Sequence, residues 1–436
     1  MTWPASNSTK TPGAEPSAMS NSGPAGVNAP APSLWRNRDF NLLWTSQTLS
    51  DLGASVSTLA LPLLVLVLTG SPVQAGLLGT LSLVVRLICR LPAGVLADRV
   101  NRRRAMIICD LIRLLALTGL AAALWTGHAS ITVIIVVALV DAVGQTFFST
   151  VEHAALRSIV TPAQLPTAVA RNEARTYAAS LAGPPLGGLL FGLAHALPFA
   201  GNALTYLASL AGVVLIRRPL QAAREEPPAG HTTALAEGVR FVLANPFLRA
   251  VLIIAAPLNF ALSGAIFTII IMLQQHGTEP AVIGLVDTII AVGGLTGAVM
   301  APALQRRLRL AVLVRVICWA AVALVALSAL FTASVAAAIP IAFAVFLGPA
   351  CNAALFGHQA AITPDQLQGR VVSVILLGAT SAAAAAPILA GTFVATWSGP
   401  AALLLFTAGV ATSAIAATFS RGIRTMRPIE QEAGSA

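Results

Sequence analysis

The sequence predicts an all-α integral membrane protein with twelve transmembrane helices in two pseudo-symmetric six-helix bundles. Three observations carry this. The 436 residues are 56% hydrophobic and only 10% charged, with a mean hydropathy of +0.82, whereas soluble domains carry about 25% charged residues. The apolar residues gather into about twelve segments, each near the ~20 residues that cross the ~30 Å hydrocarbon core. The basic residues fall in every second connection between those segments.

Taken in order, residues 1–33 are rich in Pro, Ser, Ala, Gly and Asn and predict a disordered cytoplasmic tail. They lack the apolar core of a cleavable signal peptide. Trp35, Arg36, Asn37, Arg38, Asp39 and Phe40 read as an interfacial lead-in. The predicted spans are 42–67, 74–97, 105–126, 130–152, 173–194 and 197–216, then 248–274, 280–303, 310–331, 335–357, 371–396 and 399–419. Single Gly and Pro residues inside them are tolerated in membrane helices. Residues 34–216 thus form one six-helix bundle and 248–420 the other. A polar cytoplasmic loop over 217–247, containing Arg224, Glu225, Glu226, Pro227 and Pro228, joins them, and 421–436 is a cytoplasmic tail.

Loop charge sets the orientation. With the N-terminus inside, the even-numbered connections hold Arg99 to Arg104, Arg157, Arg171, Arg217, Arg218, Arg224, Arg240, Arg306, Arg307, Arg309 and Arg370, and the tail holds Arg421, Arg424 and Arg427. The odd-numbered connections hold His128, His195, His276 and Glu279 and no Lys or Arg. Basic residues stay on the cytoplasmic side, so both termini are expected in the cytoplasm of a multi-pass plasma-membrane protein.

The halves echo each other. Thr161-Pro162-Ala163-Gln164-Leu165 recurs as Thr363-Pro364-Asp365-Gln366-Leu367, after the fourth helix of each half. Gly76-Leu77 with Thr80 recurs as Gly284-Leu285 with Thr288, opening the second helix of each half. Duplicated six-helix units with a site between them are a common plan of secondary transporters. Other chemistries find no anchor. The single lysine, Lys10, lies in the tail, so no Walker A loop exists, and neither H-E-x-x-H nor G-x-S-x-G occurs. The basic residues sit in short connections rather than on one basic face, which argues against nucleic-acid binding. Cys89, Cys109, Cys318 and Cys351 lie in apolar segments without C-x-x-C spacing and read as packing residues, not metal ligands or disulfides.

The connection between the second and third spans carries Gly94, Leu96, Ala97, Asp98, Arg99, Arg102 and Arg103. It resembles the G-x-L-a-D-r-x-G-r-K/R signature of the major facilitator superfamily, with Asn101 in place of the usual Gly. The resemblance covers residues from about 35 to 420 and implies the major facilitator fold. A second family motif, G-x-x-x-G-P-x-x-G-G, marks exporters. It appears as Gly183, Pro184, Gly187 and Gly188, with Ala179 replacing its first Gly. Asp110-Leu111-Ile112-Arg113, the Thr161–Leu165 stretch and Gly369-Arg370-Val371-Val372-Ser373 are similar to the macrolide-efflux and enterobactin-export branch. A third motif, R-x-x-q-G of proton-coupled exporters, is not matched: Asp141 stands at its arginine position.

The resemblance assigns residues 94–104 a latch role, with Asp98 reaching the start of a second-half helix and Arg102 pairing with Asp98 or Glu152. Ionisable residues within spans are functional candidates by default. They are Asp51, Arg86, Arg90, Asp110, Arg113, Asp141 and Asp287, with Arg315 early in the ninth span. Arg86 keeps its charge, and Asp51 and Asp141 are its expected partners. Together they form the expected proton-coupling and substrate-orienting set, set against a static salt-bridge network as the alternative. One charge moved through 100 mV supplies about 2.3 kcal/mol, enough for a gradient of roughly 50-fold. The expected function is proton-coupled export of a lipophilic small molecule (drug, antibiotic or siderophore-like) by alternating access, without enzymatic activity or cofactor, by a monomer whose partners are substrate, protons and lipid. An importer of a small metabolite, or a sensor or scaffold on the same fold, is the competing reading.

Overall fold

Small polar residues at the ends of the apolar runs set the helix boundaries in the computed structural model, which describes residues 34–221, 231–307, 310–331 and 334–424. Asn37 caps α1 (Arg38–Thr69), and Gly70 ends it in the left-handed region at φ 62°. Ser71 caps α2 (Pro72–Arg99), which opens on a proline. Asn101 caps α3 (Arg102–Trp125), accepting from Arg104 N, so the departure from the family's glycine supplies a cap. Ser130 caps α4 (Ile131–Ile159). Then follow α5 (Leu165–Leu193), α6 (Leu197–Leu215) and α7 (His231–Ala244). Asn245 caps α8 (Pro246–Gln275). The chain continues through α9 (Pro280–Arg307), α10 (Leu310–Ser328), α11 (Ala338–Ile362), α12 (Asp365–Ala383) and α13 (Ala386–Thr396). Ser398 caps α14 (Gly399–Phe419).

Eleven stretches among the described residues are long and apolar enough to cross a membrane. The predicted span outside that set is α5, whose Arg171, Glu173 and Arg175 and whose glycine–proline run lower its hydropathy. Two elements differ from the sequence expectation. Part of the 217–247 loop is helical: α7 lies on α12, with an ion pair between Glu237 and Arg370. The span over 371–396 is two helices, α12 and α13, broken before Pro387, whose missing N–H cannot continue the ladder. The expected disordered tail over 1–33, the run Arg224–Pro228, Arg309 and Arg427 lie outside the described residues, as do the side chains of Asp98, Arg306 and Arg307.

The halves meet at one end and part at the other. Away from the arginine-rich connections, a single apolar cluster crosses the boundary and includes Leu63, Leu66 and Leu78 of the first half with Ile269, Leu273, Ile283 and Phe406 of the second. At the arginine-rich end there are two separate clusters. One holds Phe40, Met106, Phe148 and Val213 of the first half only. The other holds Phe247, Val314, Cys351 and Ile375 of the second half only.

Two crossings close the joined end, and they mirror each other. α2 packs on α13 and α5 packs on α9. A methyl at Gly76 would overlap the Pro387 carbonyl, and one at Gly284 would overlap the Pro184 carbonyl. Gly391 likewise abuts Pro72, and Gly188 abuts Pro280. Each crossing adds a hydrogen bond between halves: Ile388 N donates to Thr80 Oγ1 at 3.0 Å, and Thr288 Oγ1 donates to Leu181 O at 3.1 Å. The second bond satisfies the carbonyl that Pro185, four residues on, leaves without its helical donor. The repeated Gly76/Thr80 and Gly284/Thr288 pairs therefore grip two proline-kinked helices.

A side chain at these crossings must displace backbone. Gly76→Ala and Gly284→Ala should each disfavour the closed end by about 1–3 kcal/mol, the usual cost of overpacking. In hydrogen–deuterium exchange, peptides over 72–80 and 386–391 should exchange roughly tenfold faster or more. Unchanged exchange would mean that the crossing does not hold this end shut.

Candidate functional site

The sequence places polar residues on single helix faces, and packing brings those faces together. On α6, Asn202, Tyr206 and Ser209 follow i, i+4, i+7 spacing and form one stripe. On α3, Asp110 and Arg113 share a face. With Gln47 and Ser57 of α1 and Asp141 of α4 they make a continuous buried network. Arg113 Nε donates to Asp141 Oδ1 at 3.0 Å, and Tyr206 OH donates to the same oxygen at 2.8 Å. Arg113 Nη2 also donates to Tyr206 OH, and its guanidinium lies 3.9 Å over the Tyr206 ring centroid. Asp110 Oδ1 stands 4.0 Å from Arg113 Nη1, and its Oδ2 accepts from Ser209 Oγ at 2.6 Å. Gln47 Nε2 donates to Ser209 Oγ at 2.6 Å, and Asn202 Nδ2 to Ser57 Oγ at 2.7 Å. Gly144 makes room: a Cβ there would sit 2.7 Å from Arg113 Cγ and Cδ. Arg113 is 2% exposed, so the bonds it makes replace the water it has lost.

A second arginine bridges a second carboxylate pair. Arg175 of α5 stands 2.8 Å from Asp51 Oδ2 and donates through Nη1 to Glu152 Oε1 at 2.9 Å. Glu152 is buried, whereas the Asp51 side chain is 27% exposed. The sequence reading did not single out Arg175, although it lies two residues inside the predicted fifth span of 173–194. The helix begins at Leu165 and carries Arg175 well inside the protein.

Between the halves lies a cavity of about 280 Å³, at the small end of the ~300–1,000 Å³ typical of ligand pockets. Ser57, Leu61 and Pro62 of α1, Arg86 of α2 and Asp141 of α4 line one side. Phe267 and Ile270 of α8, Asp287 of α9 and Pro387 of α13 line the other. The first-half network therefore reaches the cavity through Asp141.

Several expected pairings are replaced. Asp51 and Asp141 are held by Arg175 and Arg113, so Arg86 has neither as an ion-pair partner within 4.0 Å. Arg86 Nε is buried without a hydrogen-bond partner. Arg90 is exposed, and Arg315 Nε bonds Ala311 O within its own helix. Arg102 does not meet Glu152. Its Nη1 donates to Ala154 O at 3.1 Å and to Ser158 Oγ and Leu220 O at 3.2 Å. Arg103 bonds the carbonyls of Ile216 and Arg218. These arginines thus cap the ends of α4 and α6, where the helix dipole favours cations, and brace the first half. Arg99 is exposed, and a Cβ on Gly94 would meet nothing. In the exporter-like motif, Gly183 and Gly187 seat α5 on Ser55 and Val56 of α1, while Pro184 and Gly188 face α9.

Two helical bundles related by an internal repeat, closed at one end around a charged cavity, define a transporter of the major facilitator type, not an enzyme. The transmembrane secretion effector model matches residues 29–434, and the chain belongs to that family of the superfamily. No curated protein matches it in sequence. Among solved structures it is similar to a bacterial homologue of the human lysosomal transporter Spinster, captured inward-facing and unoccupied. The TM-score is 0.69 at 18% identity, over 89% of this chain and 98% of that one. It is similar also to the nucleoside transporter NupG (0.66, 13%, covering 89% and 100%) and to a bacterial homologue of the iron transporter ferroportin in an inward-facing state (0.64, 18%, covering 88% and 99%).

The arginine bridges set a stability prediction. Arg113→Met strands Asp110 and Asp141 in the protein interior and should cost about 3–5 kcal/mol, the usual penalty for half a buried pair. Adding Asp141→Leu should recover much of that loss, and Arg90→Gln should stay within about 0.5 kcal/mol of the parent. Thermal melting in detergent ranks the variants. A double variant no more stable than Arg113→Met alone would contradict the pairing.

Proposed function

We propose that this chain is a proton-coupled exporter of lipophilic small molecules in the plasma membrane, working by alternating access with both termini in the cytoplasm. The observation that carries this is closure at one end only, around a cavity lined by charge and apolar surface. With the arginine-rich end inside, as loop charge argues, this is the cytoplasm-open state. Rocking the halves about the cavity would break the glycine–proline crossings and bring the arginine-rich ends together. Asp98, at the start of that connection, is assigned to the latch with the second half. Arg102 and Arg103 stiffen the first half that carries it. The family description as a secretion effector and the exporter-like motif on α5 favour the outward direction.

Coupling is assigned to Asp51. The Asp51–Arg175–Glu152 cluster sets two carboxyl groups against one arginine, so it takes up one proton without leaving a cation unpaired. Asp51 is the more accessible of the two carboxyl groups, its side chain 27% exposed against 5% for Glu152, which gives the proton a route. Asp141 is tied to Arg113 and Tyr206 and transmits between this half and the cavity. The cavity, the network and both crossings are complete within one chain, which supports a working monomer.

In pump-deficient cells, expression should lower accumulation of lipophilic dyes and antibiotics, and a protonophore should abolish the effect. Asp51→Asn should remove the protonophore-sensitive efflux yet keep substrate exchange in proteoliposomes without a pH gradient. Uphill export by Asp51→Asn equal to the parent would exclude Asp51 as the coupling site. Asp141→Asn with intact proton-driven export would make Asp141 structural.

A further inference from the structure

The cavity holds two opposite charges, Arg86 and Asp287, for which no ion pair within 4.0 Å is found among the described residues; Arg86 feels the nearby Asp141 carboxylate only at longer range. Arg86 enters from the first half and Asp287 from the second. Arg86 Nε is buried without a hydrogen-bond partner. Among the described residues neither side chain makes an ion pair, and Asp287 makes no hydrogen bond. Asp141, the third charged group on the cavity wall, already accepts from Arg113 and Tyr206. The remaining wall is largely apolar, with Leu83 and Ile266 beside Phe267 and Ile270. Unpaired charge facing a small apolar cavity is costly unless a ligand completes it.

We propose that the cavity selects an amphoteric lipophilic molecule, with an anionic group on Arg86 and a protonated amine on Asp287. This rests on the transporter reading and names its substrate class. A monocation would satisfy Asp287 and leave Arg86 unpaired beside added positive charge. A monoanion would leave Asp287 unpaired. A molecule carrying both groups satisfies both and bridges α2 of one half to α9 of the other, so binding itself draws the halves together.

The test uses the purified full chain in detergent and matched compound triads on three ring skeletons. A fluoroquinolone with free carboxylate and piperazinium, its ethyl ester (cation only) and its N-acetyl derivative (anion only) form one triad. Equilibrium binding is read by ligand fluorescence. The amphoteric parent should bind roughly ten- to a hundredfold more tightly than either blocked form, the span expected for one charged hydrogen-bonded contact. Asp287→Asn should bring the parent down to the level of its N-acetyl form and leave the N-acetyl form unchanged. Arg86→Gln should bring the parent down to the level of the ester and leave the ester unchanged. Those unaffected partners also show that each variant is folded. Blocked forms that bind as tightly as their parents, or no parent binding in any triad, would overturn the assignment. Protonophore-sensitive efflux of singly charged compounds alone would overturn it while leaving proton-coupled export standing. Amphoteric binding without any efflux would do the reverse.

Discussion

The closest approach of backbone to backbone between the halves governs the rest of this structure. At α2–α13 and α5–α9, glycine on one helix lies against the carbonyl next to a proline kink on the other. Small residues let helices touch without side chains between them, and proline frees backbone groups that Thr288 then uses. Because both crossings lie at one end, the halves diverge toward the other, and the cavity sits beneath the crossings. The break between α12 and α13 and the Pro184-Pro185 kink in α5 are two copies of one device. At the crossings themselves backbone meets backbone with no side chain between, beside the apolar cluster that spans the boundary.

Charge imposes the second constraint. An intramembrane charge needs partners, and the first half supplies them by sharing. Arg113 serves Asp110 and Asp141, and Arg175 serves Asp51 and Glu152. The shared arrangement ties α1, α3, α4, α5 and α6 together. Arg86 and Asp287 stand outside this economy, and both face the cavity. Paired charges tie the helices of the first half together, and the unpaired ones are those the proposed ligand would complete.

Much of this was legible in the sequence because it depends on composition and period. Spans follow from apolar length, and the Gly76/Thr80 and Gly284/Thr288 repeat marked the duplication of the halves, though not that these residues sit at the crossings. What was hidden depends on which faces meet. Periodicity puts Asp110 and Arg113 on one face of α3 but does not say that Asp141 and Tyr206 lie opposite. Arg86 was matched to Asp51 and Asp141 on charge and on the cavity-lining helices the family resemblance implies, while Arg175, at the very start of the predicted fifth span, takes Asp51 in fact. The i, i+4, i+7 spacing of Asn202, Tyr206 and Ser209 in an apolar helix was a readable signal of a polar seam. The α13 counterpart of the Gly183-Pro184 motif reads Ala386-Pro387, and the loss of its glycine concealed it. The α7 helix lay in a connection whose Arg224–Pro228 run suggested only loop.

The most direct test is the distance across the closed end in a membrane. Spin labels at Gln74 of α2 and Thr396 of α13, both exposed beside that crossing, report it in lipid nanodiscs. Alternating access predicts a short distance like that in this structure and a second, longer population that grows as protons are added or removed. A single short distance unchanged across that titration, in a chain that still moves substrate, would contradict the rocking of the two halves about the cavity.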